Sequence, residues 1–245
     1  MKSGCNIAAG LIAILLFCPT LAVAQDVSIN LAEDGSITAR GVQLFMLVTL
    51  LSLAPGLAMM VTCFPFIVTV LSILRQAIGL QQAPPNMLIV SLALFLSYFI
   101  MAPVFEIAWA EGILPLMNEE LPLEQAMSRA AEPFRSFMTQ RVDPDTLDRI
   151  SRLRPALQQS DAPATIPFAQ LLPSFLLSEI ARAFQIGFII YLPFLIIDLV
   201  VATVLMSMGM MMVPPVVVSL PFKLAFFVVA DGWALISESL VRGYL

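Results

Sequence analysis

The sequence of 245 residues contains no histidine, only three cysteines and few charged residues, which make up 12% of the chain. Without histidine the commonest general base and metal ligand is missing, and the cysteines form no cluster with metal-ligand spacing. A G-x-x-x-x-G-K-S/T phosphate loop is also absent. We therefore expect no metal site, no cofactor and no enzymatic activity. Catalysis by carboxylates alone stays open, but no motif argues for it.

What the chain has in excess is apolar residues, which make up 60% of the sequence. Soluble proteins have about 45–50% apolar and about 25% charged residues, so this composition is typical of membrane proteins. Lys and Arg number 12 and Asp and Glu 17, and 15 of these 29 residues lie between Glu111 and Asp161. A polar insert therefore separates two apolar halves.

The N-terminus has the pattern of a secretory signal peptide. Lys2 precedes an apolar run from Ile7 to Phe17, and an A-V-A sequence ends at Ala24. We predict removal of residues 1–24 and a mature N-terminus at Gln25. A short first transmembrane helix is the alternative, although the run is shorter than the about 18–20 residues that a span needs.

Four hydrophobic blocks follow, at residues 44–74, 87–110, 171–212 and 216–230. Proline removes a backbone N–H and clashes with the preceding turn, so it interrupts a helix. Such interruptions are predicted at Pro55-Gly56, Pro65, Pro173 and Pro193. As a single helix the third block would be about 60 Å long, twice the about 30 Å of a bilayer core. We therefore predict that its prolines break it.

These blocks predict an all-α, membrane-associated protein of broken helical hairpins. The expected parts are a signal peptide at 1–24, an N-terminal segment at 25–43, a first hairpin at 44–110, a polar helical insert at 111–170 and a second hairpin with a methionine-rich loop at 171–245. In the insert, Leu123, Met127, Ala130 and Phe134 recur at helical spacing, and a second short helix is expected at 144–153. Its interspersed charges indicate a solvated face and argue against nucleic-acid binding.

Four charged residues lie inside the apolar sequence of the second hairpin: Glu179, Arg182, Asp198 and Lys223. An ionised group facing lipid is costly, so we expect these side chains to face protein and to be buried. Glu179 and Arg182 are three residues apart and neutralise each other on one helix face. Asp198 and Lys223 pair across the hairpin or between subunits. Snorkelling to the membrane interface is the alternative.

Several stretches resemble one known family. FQIGF, FLIIDLV, MGMMMVPP and LPFKL in the second hairpin, with LRQAIGLQQAPPNMLIVSLALFLSYFIMAP in the first, resemble the FliP family of type III export-gate proteins and its injectisome relatives, the SctR family. One departure is visible, because Phe64-Pro65-Phe66-Ile67 stands where the family usually has F-T-R-I. The family's arginine is missing here, so its contacts cannot be carried over.

The resemblance implies a role in flagellar protein export. It implies a pentameric homo-oligomer in the bacterial inner membrane, within the flagellar basal body, that assembles with FliQ-, FliR- and FlhB-like subunits. Unfolded rod, hook and filament subunits would pass through its centre. Met210, Met211 and Met212 match the family's methionine gasket, and Gly209, Pro214 and Pro215 would end the helix and turn the loop inward. Met206 and Met208 are expected to be packing residues.

Three other functions remain open. The injectisome gate subunit has the same architecture and exports virulence effectors, but the signal peptide favours the flagellar protein. A solute transporter with discontinuous helices would carry an inverted repeat, and none is evident between the two halves. A structural membrane scaffold would not need the methionine cluster. For the methionines themselves, the alternative to a gasket is ordinary packing in the core.

Overall fold

The computed structural model describes residues 37–80, 83–153, 166–210 and 212–244. In these ranges the chain is helical and contains no strand, which confirms the all-α prediction. The predicted signal peptide, its cleavage site and Met211 lie outside the described residues. The helices are α1 (Ile37–Met60), α2 (Phe64–Ile78), α3 (Asn86–Ala108), a π-helix (Trp109–Ile113), α4 (Leu114–Met117), α5 (Leu123–Arg141), α6 (Pro144–Leu153), α7 (Phe168–Ser207), α8 (Pro215–Val229) and α9 (Gly232–Arg242).

The chain divides into two compact units between Val48 and Thr49, within α1. In the first unit, the described residues 37–48 form the first turns of α1. The second unit contains the rest of α1 and the other described helices, and the candidate site lies in it.

Helix α2 is the centre of the second unit. It starts with Pro65 in its first turn, where the missing N–H costs nothing, and ends at Gly79, whose φ of 92° closes the last turn. Buried side chains follow its length and pack against α3 and α7; they are Phe66, Ile67, Val70, Leu71, Leu74, Ala77 and Ile78. A Cβ added at Gly187 of α7 would lie 2.5 Å from Ile73, so this glycine allows the two helices to touch.

The predicted proline breaks at Pro55, Pro173 and Pro193 were wrong. Pro55 lies within α1, which continues to Met60, and α7 is one helix of 40 residues that contains both other prolines. A proline removes a single hydrogen bond from the helical ladder, whereas an apolar environment offers the remaining backbone groups no partner outside the helix. The helix therefore continues. In the first block the chain leaves the helix at Val61–Cys63 and resumes it at Phe64, next to Pro65.

Both helices predicted in the insert are present, as α5 and α6, and of the four periodic residues of α5 only Ala130 and Phe134 pack against the rest of the chain. Leu123 and Met127 are exposed, whereas Ala126 and Met138 are buried. The π-helix explains the close docking of α5: a Cβ added at Gly112 would lie 2.4 Å from Ala130. Small residues at this crossing allow α5 to pack closely on the π-helix.

Several helices are long and apolar enough to cross a membrane. By length and composition these are Gly41–Met60, the continuous segment Asn86–Met117 and α7, and α8 with α9 forms a further candidate that is bent by 60°. Much of their apolar surface is exposed in the single chain, including Phe95 and Phe188 at 70% and 63%. Burial of this surface requires lipid or other subunits.

Candidate functional site

The methionine-rich segment forms the turn between α7 and α8. Helix α7 ends in a Schellman motif: the Gly209 N–H donates to the Met206 carbonyl at 3.1 Å, and the Met210 N–H donates to the Leu205 carbonyl at 3.0 Å. Gly209 has a φ of 76°, a conformation that costs a side-chain-bearing residue energy. Pro214 then precedes α8, and Pro215 occupies its first turn. Glycine and the two prolines therefore fix where one helix stops and the next begins.

The methionines of this turn project away from the chain. Met212 is 98% exposed and Met210 is 42% exposed, and Met211 lies outside the described residues. Met206 and Met208, which we expected to be packing residues, are also exposed, at 56% and 67%. These four side chains do not fill the core of the subunit, so their burial requires lipid or another subunit.

Asp198 and Lys223 meet across the hairpin. The Lys223 Nζ lies 2.5 Å from Asp198 Oδ2 and donates a second hydrogen bond, of 3.2 Å, to the Ala77 carbonyl. The Ser219 hydroxyl donates to Asp198 Oδ1 at 2.5 Å. This network ties α7, α8 and the end of α2 together. The Lys223 side chain is 4% exposed, whereas the expectation of burial fails for Asp198, whose side chain is 28% exposed.

Glu179 is the centre of a second network. Its side chain is fully buried, its Oε1 accepts a hydrogen bond of 3.3 Å from Arg141 Nε, and its Oε2 accepts one from the Tyr244 hydroxyl. Arg141 also donates to the Gly243 carbonyl at 2.9 Å, and its guanidinium lies 4.0 Å from the centre of the Tyr244 ring. The network joins the last residue of α5, the middle of α7 and the C-terminal residues.

The sequence indicates only part of this network. Arg182 does lie near Glu179, with Nη1 3.7 Å from Oε1, but its side chain is 37% exposed and therefore not buried as expected. The shorter contact is with Arg141, which we had assigned to a solvated face. Arg141 is the last residue of its helix and 38 residues from Glu179, so no local spacing indicated the pair.

The protonation of Tyr244 follows from its surroundings. Burial raises the pKa of the phenol, and the adjacent Glu179 carboxylate raises it further. The hydroxyl therefore stays protonated and remains a hydrogen-bond donor to Glu179. Burial likewise raises the pKa of the Cys63 thiol, to about 12, so this cysteine is an unreactive packing residue. Among the described residues no group of His, Cys, Asp and Glu has the arrangement of a metal site.

These features define a helical protein with several segments able to cross a membrane, held together by two charge networks that are centred on the buried groups Lys223 and Glu179. Residues 47–240 match the FliP family. Flagellar biosynthetic protein FliP of Caulobacter vibrioides is 50% identical over 227 residues, covering 92% of this chain and 85% of that protein. The protein of the same name from Bacillus subtilis is 43% identical over 220 residues, covering 90% and 99%, and that from Aquifex aeolicus is 40% identical over 232 residues, covering 94% and 97%.

The chain therefore belongs to the FliP family, and the resemblance seen in its motifs is confirmed. All three relatives are named as flagellar proteins, which favours the flagellar function over the injectisome alternative.

Proposed function

We propose that this chain is a core subunit of the flagellar type III export gate. Copies of it, five by the family resemblance, form a ring around the path of unfolded rod, hook and filament subunits. The observation that carries the proposal is the turn between α7 and α8, where a Schellman motif and two prolines hold exposed methionines at a defined place. Membership in the FliP family supports the same conclusion.

The physical role of the turn is a deformable seal. A pore for unfolded chains has to exclude ions and water and yet accept side chains of every size. Methionine suits this task because it is unbranched, has three rotatable side-chain bonds and fills irregular gaps. Met210, Met211 and Met212 from each subunit together form an apolar constriction that opens when a chain enters. Met212 has almost no contacts within its own subunit, so it is free to pack against its symmetry mates.

The buried charges prepare the subunit for assembly. Lys223 with Asp198 and Glu179 with Arg141 close within one chain, so they orient α7, α8 and α5 before partners bind. The apolar faces left exposed on these helices are the surfaces on which neighbouring copies and FliQ-, FliR- and FlhB-like subunits pack. The proposed location is the inner membrane, in the basal body.

Complementation tests this function. A strain that lacks its own copy of this gene is expected to be non-motile and to retain hook protein in the cell. The wild-type chain should restore secretion of hook protein to the medium and copurify with FliQ- and FliR-like subunits. Restored assembly of an injectisome needle complex, without hook secretion, would contradict the flagellar assignment.

A further inference from the structure

A cavity of about 440 Å³ lies between α7 and α9. This volume falls within the about 300–1,000 Å³ that is typical of small-ligand pockets. Its walls include Ile186 and Ile190 of α7 and Leu235 and Ile236 of α9, and both Arg141 and Arg182 line it. Leu235 is 59% exposed, so the cavity is open to the surface at this residue.

The cavity has one polar end and one apolar end. Arg182, Ile186 and Ile190 follow one another at four-residue intervals along α7 and therefore lie on one face over about 12 Å. Gly243 and Tyr244, which directly follow α9, contact Arg141 at the arginine end. The shape suits a ligand with an anionic head and an apolar chain.

The positive charge at the arginine end is only partly neutralised by buried carboxylates, although the exposed Asp143 carboxylate also interacts electrostatically with Arg182. Arg141 and Arg182 share one buried carboxylate, that of Glu179, so one of the two guanidinium groups has no buried counter-charge among the described residues. Arg141 uses its donors on Glu179 and Gly243. Arg182 makes no hydrogen bond to any described residue: its nearest acidic oxygen is 3.7 Å away. Its guanidinium therefore has donors free for an anion.

Arg182 also lies where the side chains of α7 change from partly polar to almost entirely apolar. Before it, the helix buries polar side chains against the rest of the chain, among them Gln170, Ser174 and Ser178. After it, residues 184–207 are almost continuously apolar and about 36 Å long, close to the thickness of a bilayer core. In a bilayer crossed by this apolar segment, Arg182 would lie at the level of the lipid headgroups.

We propose that this cavity binds an anionic phospholipid, with its phosphate on Arg182 and the start of an acyl chain between Ile186, Ile190 and Ile236. Bidentate hydrogen bonding to a phosphate is the interaction to which a guanidinium is best suited. A lipid taken up from the membrane stays in the cavity in an assembly whose outer faces are covered by other subunits. The site does not depend on the export function.

Lipid analysis of the purified, full-length protein in its membrane complex tests this site. After extraction in a mild detergent, bound phosphatidylglycerol should be enriched over phosphatidylethanolamine relative to the source membrane. Arg182→Gln should lower the retained phosphatidylglycerol roughly tenfold, the effect of losing a charge-assisted hydrogen bond. Ile236→Trp, which fills the cavity and keeps both arginines, should lower it as well. Arg242→Gln is the matched control, because Arg242 is exposed and paired with Glu238.

Three outcomes would overturn the site. The first is wild-type protein whose bound lipid has the composition of the source membrane, a result that needs no variant to fold. The second is a delipidated complex that binds inorganic phosphate as tightly as it rebinds phosphatidylglycerol from vesicles, which would make the apolar walls irrelevant. The third is a photo-cross-linker at Leu235 that captures a second protein chain and no lipid, which would show that a neighbouring subunit fills the cavity.

Discussion

Replacing Lys223 with methionine removes one charge and keeps most of the side-chain volume. In the wild-type chain the ammonium contacts Asp198 at 2.5 Å and the Ala77 carbonyl at 3.2 Å. In the variant the Asp198 carboxylate keeps only its hydrogen bond from Ser219, and the Ala77 carbonyl loses the hydrogen bond from Lys223. Removing one partner of a fully buried ion pair costs about 3–5 kcal/mol. Asp198 is 28% exposed, so water replaces part of the lost interaction and we expect the lower end, about 3 kcal/mol.

The assay is the thermal midpoint of the purified complex, with its yield as a second readout. For a chain of this length, about 3 kcal/mol corresponds to a midpoint lower by about 6–12 °C. Arg242→Met is the control, because its partner Glu238 lies at the same 2.5 Å but both side chains are exposed, at 76% and 62%. Exposed pairs contribute about 0–1 kcal/mol, so this variant should melt close to wild type.

A double variant separates charge from packing. Asp198→Asn combined with Lys223→Met leaves no unpaired charge, and replacing both members of a buried pair is often close to neutral. The double variant should therefore recover most of the lost midpoint. A Lys223→Met protein as stable as wild type, or a double variant no better than the single one, would refute the buried network.

Three further predictions concern the turn, the C-terminus and the N-terminus. Gly209→Val should lower the yield of assembled complex, because a left-handed conformation costs roughly 1–2 kcal/mol for a residue with a Cβ, whereas Gly209→Asn should be tolerated. No neighbour lies within 4 Å of either new Cβ, so equal effects of the two variants would contradict the backbone explanation. Tyr244→Phe should lower the free energy of unfolding by about 1–3 kcal/mol, and with it the thermal midpoint, because the buried Glu179 loses a donor while the ring remains; an unchanged midpoint would show that the hydroxyl contributes nothing. Mass analysis of the purified protein should give an N-terminus at Gln25, and an intact Met1 would rule out cleavage there.

The turn was predictable from sequence because its signals are local. Gly209 and the two prolines determine backbone angles and hydrogen bonds at their own positions, and the structure ends α7 and starts α8 beside them. The two helices of the insert follow for the same reason, since their spacing and bounds depend on neighbouring residues. For Asp198 and Lys223 the sequence allowed a pair across the hairpin or a pair between subunits, and the structure has the pair across the hairpin.

The long-range features were not predictable in this way. Glu179 meets Arg141 and Tyr244 across 38 and 65 residues, and only the packed fold brings them together. Pro173 and Pro193 carry the same local signal as Pro65, yet α7 continues through them because its surroundings offer no alternative to the helical hydrogen bonds. Local chemistry thus placed the turns, whereas tertiary context decided which prolines interrupt a helix.

The measurement that tests the proposed seal most directly is solute entry into cells that carry Ala at Met210, Met211 and Met212. Met210 and Met212 are exposed in the single chain, so their truncation should change subunit stability little, by about 0.5 kcal/mol or less per site. Complex abundance should therefore match wild type while influx of a small solute rises, in a strain without a growing rod in the channel. Met206→Ala with Met208→Ala is the control and should not leak. Normal abundance of the triple variant without any rise in influx would contradict the seal, and loss of the complex would show that these methionines serve packing.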